Sequence, residues 1–441
     1  MNIIAIDCGA SFIKGGLFEN GKCVSNDVRK TPAVNIKNWQ QPTQISQIVS
    51  IVKEMVLKLA DERNDVVLCM SNEMHGFLLA DESGNPYTDY ISWQMEFGSL
   101  PMIDIFLTPL EMLSKDEYSE CVCHTGMPLR KGLPSANLLY ICHESPKLNA
   151  RSKLNFYTLG DYILRVLSGR EPICHVTNAA ATGLFNIKNG KWDEKLIDVV
   201  SGSKVNFPTV GEDFLEFELQ GLHITALPAL GDQQAALLGA GLRNMNDISF
   251  NIGTGGQVSR IMDEIILSDN YQVRPYFDGK YIKTIAHLPS GRALNVFVGF
   301  VQEIAYKFNP STPESEIWSW ILGEANRAKH SSVQCDLSFF SNPISSRMTG
   351  TISNIGEKSF HVGDLFISVF RQMADNFLWA ADKISSEKDG VDKIIFSGGV
   401  AGKIDIIRTR ILEHYPCGIE YNIAKNETLH GLMCYADGKI G

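Results

Sequence analysis

An acid, a hydroxyl and a cation fall close together at Asp7, Ser11 and Lys14, around the small-residue turn Cys8-Gly9-Ala10-Ser11. A carboxylate at a strand end suits Mg²⁺ held through water, and a lysine offers terminal phosphate oxygens a point charge. The plan returns just past the midpoint, where Asn251-Ile252-Gly253-Thr254-Gly255-Gly256 lies between two runs of strand character. Successive N–H groups in such turns form an anion-binding concavity, and glycine lets a phosphate approach with no Cβ in the way. A third turn, Ser397-Gly398-Gly399-Val400-Ala401-Gly402, joins an apolar run to a helical pattern and could take a flat base against its backbone. Singly, each turn also suits an ordinary hairpin or strand-to-helix connection. Their pairing across the two halves points to a polyphosphate.

For proton transfer the residue of interest is Asp232, in Leu230-Gly231-Asp232-Gln233-Gln234-Ala235-Ala236, a turn leading into a small-residue helix. A carboxylate there either caps the helix or, if it reaches an attacking hydroxyl, acts as a base. Met74-His75-Gly76 and Ser92-Trp93-Gln94 bring together an imidazole, an indole face and an amide, a set able to recognise a polyhydroxylated ligand. Packing beside a core strand is the alternative for His75 and Trp93. Cys121, Cys123, His124, Cys142, His143, Cys174 and His175 are metal-ligating types, but their spacing matches no usual zinc finger.

These residues need a scaffold of strands and helices to hold them. Residues 3–14 read as two strands about the first turn, Asn20-Gly21 favours a type I′ hairpin turn, and a third strand follows at 22–28. Ile45, Ile48, Val49, Val52, Met55, Val56 and Leu59 recur at helical spacing, and the run 65–70 reads as a buried strand. Hairpin, helix and strand in that order imply a mixed sheet covered by helices. Residues 125–218 read as an insertion that shapes a pocket, with a helical pattern at 161–167 and a polar loop at 186–190. A long amphipathic helix is expected over 362–384, before a strand at 392–396.

At 441 residues the chain exceeds one ordinary core, and the repeated turn predicts a division into residues 1–243 and 244–441 with a short hinge in the 240s. Apolar residues make up 44%, no run approaches membrane-spanning length, and the start shows no secretory pattern. The ten cysteines, many in apolar runs, fit reduced thiols, so the expectation is a soluble cytoplasmic protein. A net charge of −10 with no long basic stretch gives nucleic acid no electrostatic footing.

Taken in order, Asp7-Cys8-Gly9-Ala10-Ser11, Met74-His75-Gly76, Gly231-Asp232-Gln233, Gly253-Thr254-Gly255 and Ser397-Gly398-Gly399 resemble the motifs of the FGGY-type carbohydrate kinases of the actin and hexokinase superfamily. Ser92-Trp93-Gln94, the stretch from Asn251 to Val258 and Arg274-Pro275-Tyr276-Phe277 are similar to those of sedoheptulokinases within that family. The resemblance implies an α/β fold of two ribonuclease-H-like lobes, each a mixed sheet flanked by helices, with an ATP cleft between them. It implies a sugar held by the N-terminal lobe through Met74, His75, Trp93, Gln94 and Gln233, and Asp232 as general base. Asp7 would hold Mg²⁺, Ser11 and Lys14 would contact phosphate, Gly253, Thr254 and Gly255 would cradle the nucleotide phosphates, and Gly398 and Gly399 would lie along adenosine.

The expected activity is ATP-dependent phosphorylation of a primary hydroxyl of a ketose such as sedoheptulose. A xylulose- or ribulose-type pentulose kinase, or a degenerate sugar- or nucleotide-binding regulator on the same scaffold, are the alternatives. A small sugar is the expected partner, membrane and nucleic acid are not, and a homodimer stays open. The chain departs from the family at Ala10, where a threonine is usual, and at Met95, where an aspartate is usual.

Overall fold

The computed structural model describes residues 1–34, 38–145, 153–202, 204–328, 330–385, 390–416 and 418–440. By contacts the chain divides into two units, one of Met1–Gly239, Glu264–Tyr281 and Asn426–Gly441, the other of Ala240–Asp263 and Ile282–Lys425. This differs from a single cut between 243 and 244, because two later segments return to the first unit.

In the first unit the opening hairpin forms as its sequence requires: β1 (Asn2–Cys8) pairs antiparallel with β2 (Phe12–Glu19), which pairs antiparallel with β3 (Lys22–Lys30). Asn20 and Gly21 both take positive φ, 49° and 75°, the conformation of a type I′ turn. α1 (Thr43–Ala60) then crosses back and β4 (Asp65–Asn72) enters parallel to β1. α1 buries Ile45, Ile48, Val52, Met55, Val56 and Leu59 against Ile4, Ile6, Ile13 and Leu17 of the hairpin. Each such burial is worth about 1.5–3 kcal/mol, so this one face outweighs any local propensity in fixing the helix. The buried Asp89 carboxylate accepts the first N–H groups of α1, from Gln44 (3.0 Å) and Ile45 (2.8 Å).

β5 (Leu215–Leu219) and β6 (Leu222–Ala226) extend the sheet to the order β5-β6-β4-β1-β2-β3, and the short β7 (Leu230–Gly231) also pairs with β4. Part of the insertion forms a small sheet of Leu78–Ala80, Leu154–Tyr157 and Val205–Asn206, with its own core around the stacked rings of Phe77 and Phe156. α2 (Asp232–Ala240) follows β7 directly. The last helix, Glu427–Ile440, crosses α2 backbone to backbone. A Cβ added at Gly239 would lie 1.8 Å from the Glu427 carbonyl oxygen, and one at Gly431 1.8 Å from that of Ala235, so only glycine permits the approach.

The second unit repeats the plan. β8 (Asp247–Ile252) pairs antiparallel with β9 (Gly256–Met262) across the Gly253-Thr254-Gly255 turn, and parallel with β11 (Lys393–Ser397), itself parallel to β12 (Glu420–Ile423). β10 (Tyr281–Leu288) joins β9, so that β10-β9-β8-β11-β12 are five neighbours of a six-stranded sheet. α3 (Gly291–Phe308) and α4 (Val362–Ile384) flank it, and α4 spans the residues that its periodicity predicts. The fully buried Phe366, Phe370 and Phe377 of α4 fill the core. No helix among the described residues is long and apolar enough to cross a membrane.

Candidate active site

The apolar run of β1 delivers Asp7 to a register shared with Lys14 on β2 and Ser71 on β4. Asp7 is 8% exposed, and one carboxylate oxygen accepts the Ser71 hydroxyl at 2.9 Å. Burial pushes its pKa up, while the Ser71 hydroxyl and the Lys14 cation pull it back. Among the described residues its second oxygen has no protein partner, which leaves it for a hydrated cation. The adjoining turn closes by Gly9 N–H to the Phe12 carbonyl (3.1 Å), and Thr31 fastens it through Gly9 O and Ser11 O. Ala10, Ser11 and Lys14 are exposed.

Sequence reading passed over Glu73. Its N–H donates to Cys8 O at 3.0 Å, so it stands at the end of β1, and its carboxylate accepts Trp93 Nε1–H (3.1 Å) and the Ser92 hydroxyl (3.3 Å). Burial raises its pKa against these donors. An acid directly after a buried strand was the available signal. The bond to Glu73 fixes the Trp93 indole, which keeps 44% exposure as an aromatic face. Gln94 is exposed beside it. Met95 packs into the insertion core at 1% exposure, away from solvent, and Glu96 pairs with Lys131.

His75 has left-handed backbone, φ 66°, a conformation rarely taken by a non-glycine residue. Its Nδ1 lies 2.6 Å from the Ala181 carbonyl and must donate there. Nε2 is then the acceptor for the Arg130 guanidinium at 3.2 Å. Both ring nitrogens are engaged, and the group the imidazole supports is Arg130. Gly76 beside it is required by close packing, since a Cβ there would fall 1.9 Å from the Tyr90 hydroxyl oxygen.

Asp232 opens α2, and the junction before it is pinned by the short helix Val176–Ala179. Thr177 Oγ1 accepts Gly231 N–H (3.0 Å), and the Asn178 amide donates to Ala229 O (2.8 Å) and to Asn72 (3.0 Å). One pair of side chains thus sets both Asp232 and the strand end before Glu73. Asp232 Oδ1 accepts Gln233 N–H at 2.8 Å, a capping bond, and among the described residues Oδ2 has no protein partner. Burial, with the nearby Asp7 and Glu73 carboxylates, raises its pKa to about 7, against the pull of the Gln233 N–H and of Arg274. Gln233 receives an N–H of Arg274, whose guanidinium also reaches Met74 Sδ (3.3 Å) and Gln272.

The first unit thus brings Asp7, Asp232, Met74, His75, Gln233 and Trp93 into one connected set with Glu73 and two arginines. In the second unit the other small-residue turns meet. A Cβ on Gly398, φ 87°, would lie 2.6 Å from the Ile252 backbone and 2.7 Å from Gly253 N. Gly253 O accepts Gly291 N–H and the Ser290 hydroxyl, and Thr254 O accepts Arg292 N–H, which tie the turn to the start of α3. Thr254 and Gly255 remain exposed, and Gly399 opens the next helical turn. Among the described residues no group of three or more His, Cys, Asp or Glu converges as a metal centre.

Residues 2–239 match the N-terminal domain of the FGGY family of carbohydrate kinases. The glycerol kinase of Aquifex aeolicus is 28% identical over 270 residues, 57% of this chain and 52% of its own length. The chain spans about half the length of the curated relatives it matches. Among solved structures, a gluconate kinase from Lactobacillus acidophilus superposes with a TM-score of 0.83 at 18% identity, over 99% of this chain and 89% of the other. A xylulose kinase from the same organism gives 0.81 at 18% identity, over 99% and 88%. The α/β fold of mixed sheets and helices expected from the sequence is thus the fold of these kinases.

Proposed function

Because the chain belongs to the FGGY family of carbohydrate kinases, we propose that it transfers the γ-phosphoryl group of ATP to a primary hydroxyl of a sugar, with Asp232 as the base. The observation that carries this is the Asp232 carboxylate. One oxygen is held by Gln233 N–H, the other lacks a protein partner among the described residues, and its pKa stands at about 7, where a base can both accept and release a proton at neutral pH. As the acceptor oxygen bonds to phosphorus and the bond to ADP breaks, the hydroxyl proton passes to this free oxygen.

Bound Mg-ATP supplies the phosphoryl group and a metal charge that offsets charge building on the phosphate oxygens. Asp7 suits that metal, as a buried carboxylate with one oxygen left over from Ser71. Lys14 and Ser11 hold phosphate oxygens, Gly253, Thr254 and Gly255 line the phosphates, and Gly398 with Gly399 lies along adenosine. The acceptor role falls to the first unit, through the Trp93 face, Gln94, Met74, His75 and Gln233. With little covalent chemistry to perform, these residues accelerate the reaction chiefly by orientation and charge.

A ketose acceptor, sedoheptulose or a pentulose, draws on the Ser92-Trp93-Gln94 likeness and on similarity to proteins named xylulose kinase. A screen for acceptor-dependent ADP release over ketoses, pentitols and glycerol tests the reading. ADP formed equally fast without any acceptor would overturn it in favour of an ATPase, and acceptor binding without turnover would favour the regulator.

A further inference from the structure

We propose that the acceptor carries an oxyanion group, a sugar carboxylate or a sugar phosphate, seated against the guanidiniums of Arg274 and Arg130. The inference rests on the kinase reading and sets an acidic acceptor in place of the neutral ketose. Arg274 is 5% exposed, and its bonds run to Gln233 Oε1, Met74 Sδ and Gln272 Oε1, all neutral acceptors. Among the described residues its Nε donates to nothing, and no carboxylate lies within ion-pair distance. Burying a cation without a paired carboxylate is costly, and the attraction of the unpaired Asp232 carboxylate offsets that cost only in part, so a purely structural role leaves the Arg274 Nε unanswered.

Seven other arginines show how such a charge is accommodated elsewhere. Arg29, Arg63, Arg165, Arg327, Arg408 and Arg410 each have a carboxylate partner. Arg260, 2% exposed in the second unit, donates from all three guanidinium nitrogens, to Met245 O, Ser385 Oγ and Gly390 O. Arg274 fits neither pattern. A second guanidinium, that of Arg130, lies near enough to repel it, and burial with that repulsion lowers the Arg274 pKa to about 9 against the pull of Asp232.

Both arginines touch residues assigned to the acceptor. Arg274 touches Met74 and Gln233, and Arg130 bonds His75. Asp232 attracts Arg274 without pairing to it, and as a base it has to stay available. An oxyanion on the acceptor answers the charge. It competes with the amide oxygens of Gln233 and Gln272 for the guanidinium, since charge-assisted bonds are about twice as strong as neutral ones, and a carboxylate or phosphate matches the guanidinium fork.

The test compares, on the full chain, a panel of pentonates, hexonates and heptonates, the corresponding alditol phosphates, and the matching neutral alditols and ketoses. ADP release and calorimetric binding are both read. An oxyanion acceptor should exceed its neutral counterpart in kcat/KM by about 10-fold or more, as a hydrogen bond to a charged group predicts. Preference for aldonates names a carboxylate, and preference for alditol phosphates names a phosphate. Arg274→Gln should erase the preference, and Arg130→Gln should reduce it, which serves if the first variant fails to fold. Neutral sugars phosphorylated as well as or better than the acids would overturn the proposal and leave the kinase reading standing. Tight binding of an acid without ADP release would uphold the subsite and sink the kinase reading. Neither binding nor turnover across the panel would sink both.

Discussion

The two units place the same three positions around the same kind of turn, keep a serine at one and fill the other two with different chemistry. In the first, β1 ends with Asp7 in register with Lys14 on the hairpin partner and Ser71 on the parallel neighbour. In the second, β8 ends with Asn251 in register with Gln257 and Ser397. One strand end carries an acid and a base, and the other carries two amides. Sheet register decides where a side chain stands, and charge decides what it does there. On the proposed reading the charged end would serve a metal and a phosphoryl group. The neutral end suits a nucleotide held by backbone and hydrogen bonds, where another carboxylate would repel the phosphates.

The largest expected effect comes from removing the base. Asp232→Asn should lower kcat by about 10²- to 10⁴-fold with ATP binding retained, measured by coupled ADP release and nucleotide titration. A variant as fast as the parent would place the base elsewhere. Asp7→Asn makes the first strand end match the second, and should lower kcat by about 10²-fold while raising the Mg²⁺ needed for half-maximal rate. The reverse exchange, Asn251→Asp, should raise KM for ATP by about 10-fold and change kcat little. If both exchanges were silent, the difference between the two ends would have no functional meaning.

Titration sharpens the same contrast. On the proposed reading Asp232 works deprotonated, so kcat/KM should climb with pH and level off above about 7, its pKa. Arg274→Gln should move that limb to higher pH, because Arg274 lowers the Asp232 pKa. For stability the sign is opposite. The Asp232 pKa is raised on folding, so its contribution is full below the unfolded value of 3.8 and is lost as pH rises through about 7. Asp232→Asn should therefore melt a few degrees higher than the parent at pH 8, with the gap closing towards pH 4. The smallest effect is expected for Thr254→Ala, a rise in KM for ATP of about five-fold, as one lost hydrogen bond predicts.

Local signals in the chain reported local structure well. Asn20-Gly21 announced its turn, the spacing from Ile45 to Leu59 announced α1, and the 362–384 periodicity announced α4, since each depends on neighbours a few residues away. The strand-end acid Asp7 and the helix-opening acid Asp232 were legible for the same reason. What escaped was set by partners far along the chain. Glu73 matters because Trp93 and Ser92 bond it, Arg274 because it meets Met74 and Gln233, and Thr177 with Asn178 because they hold Gly231 and Ala229. Met95 looks like a substitution at a sugar contact, yet its side chain belongs to the insertion core. Nothing in residues 264–281 or 426–441 reveals which core they join.

That last segment bears on how the protein is made. Glu427–Ile440 crosses α2 through Gly239 and Gly431, and Lys439 reaches Glu212 at 2.6 Å. A ribosome emits this helix only after the whole second unit, so the half that bears Asp232 must wait, with the flank of α2 uncovered, until translation has passed residue 440. A premature stop just beyond Lys425 would spare every described strand of the second unit and still strip α2, which Asp232 opens, of the helix packed on it.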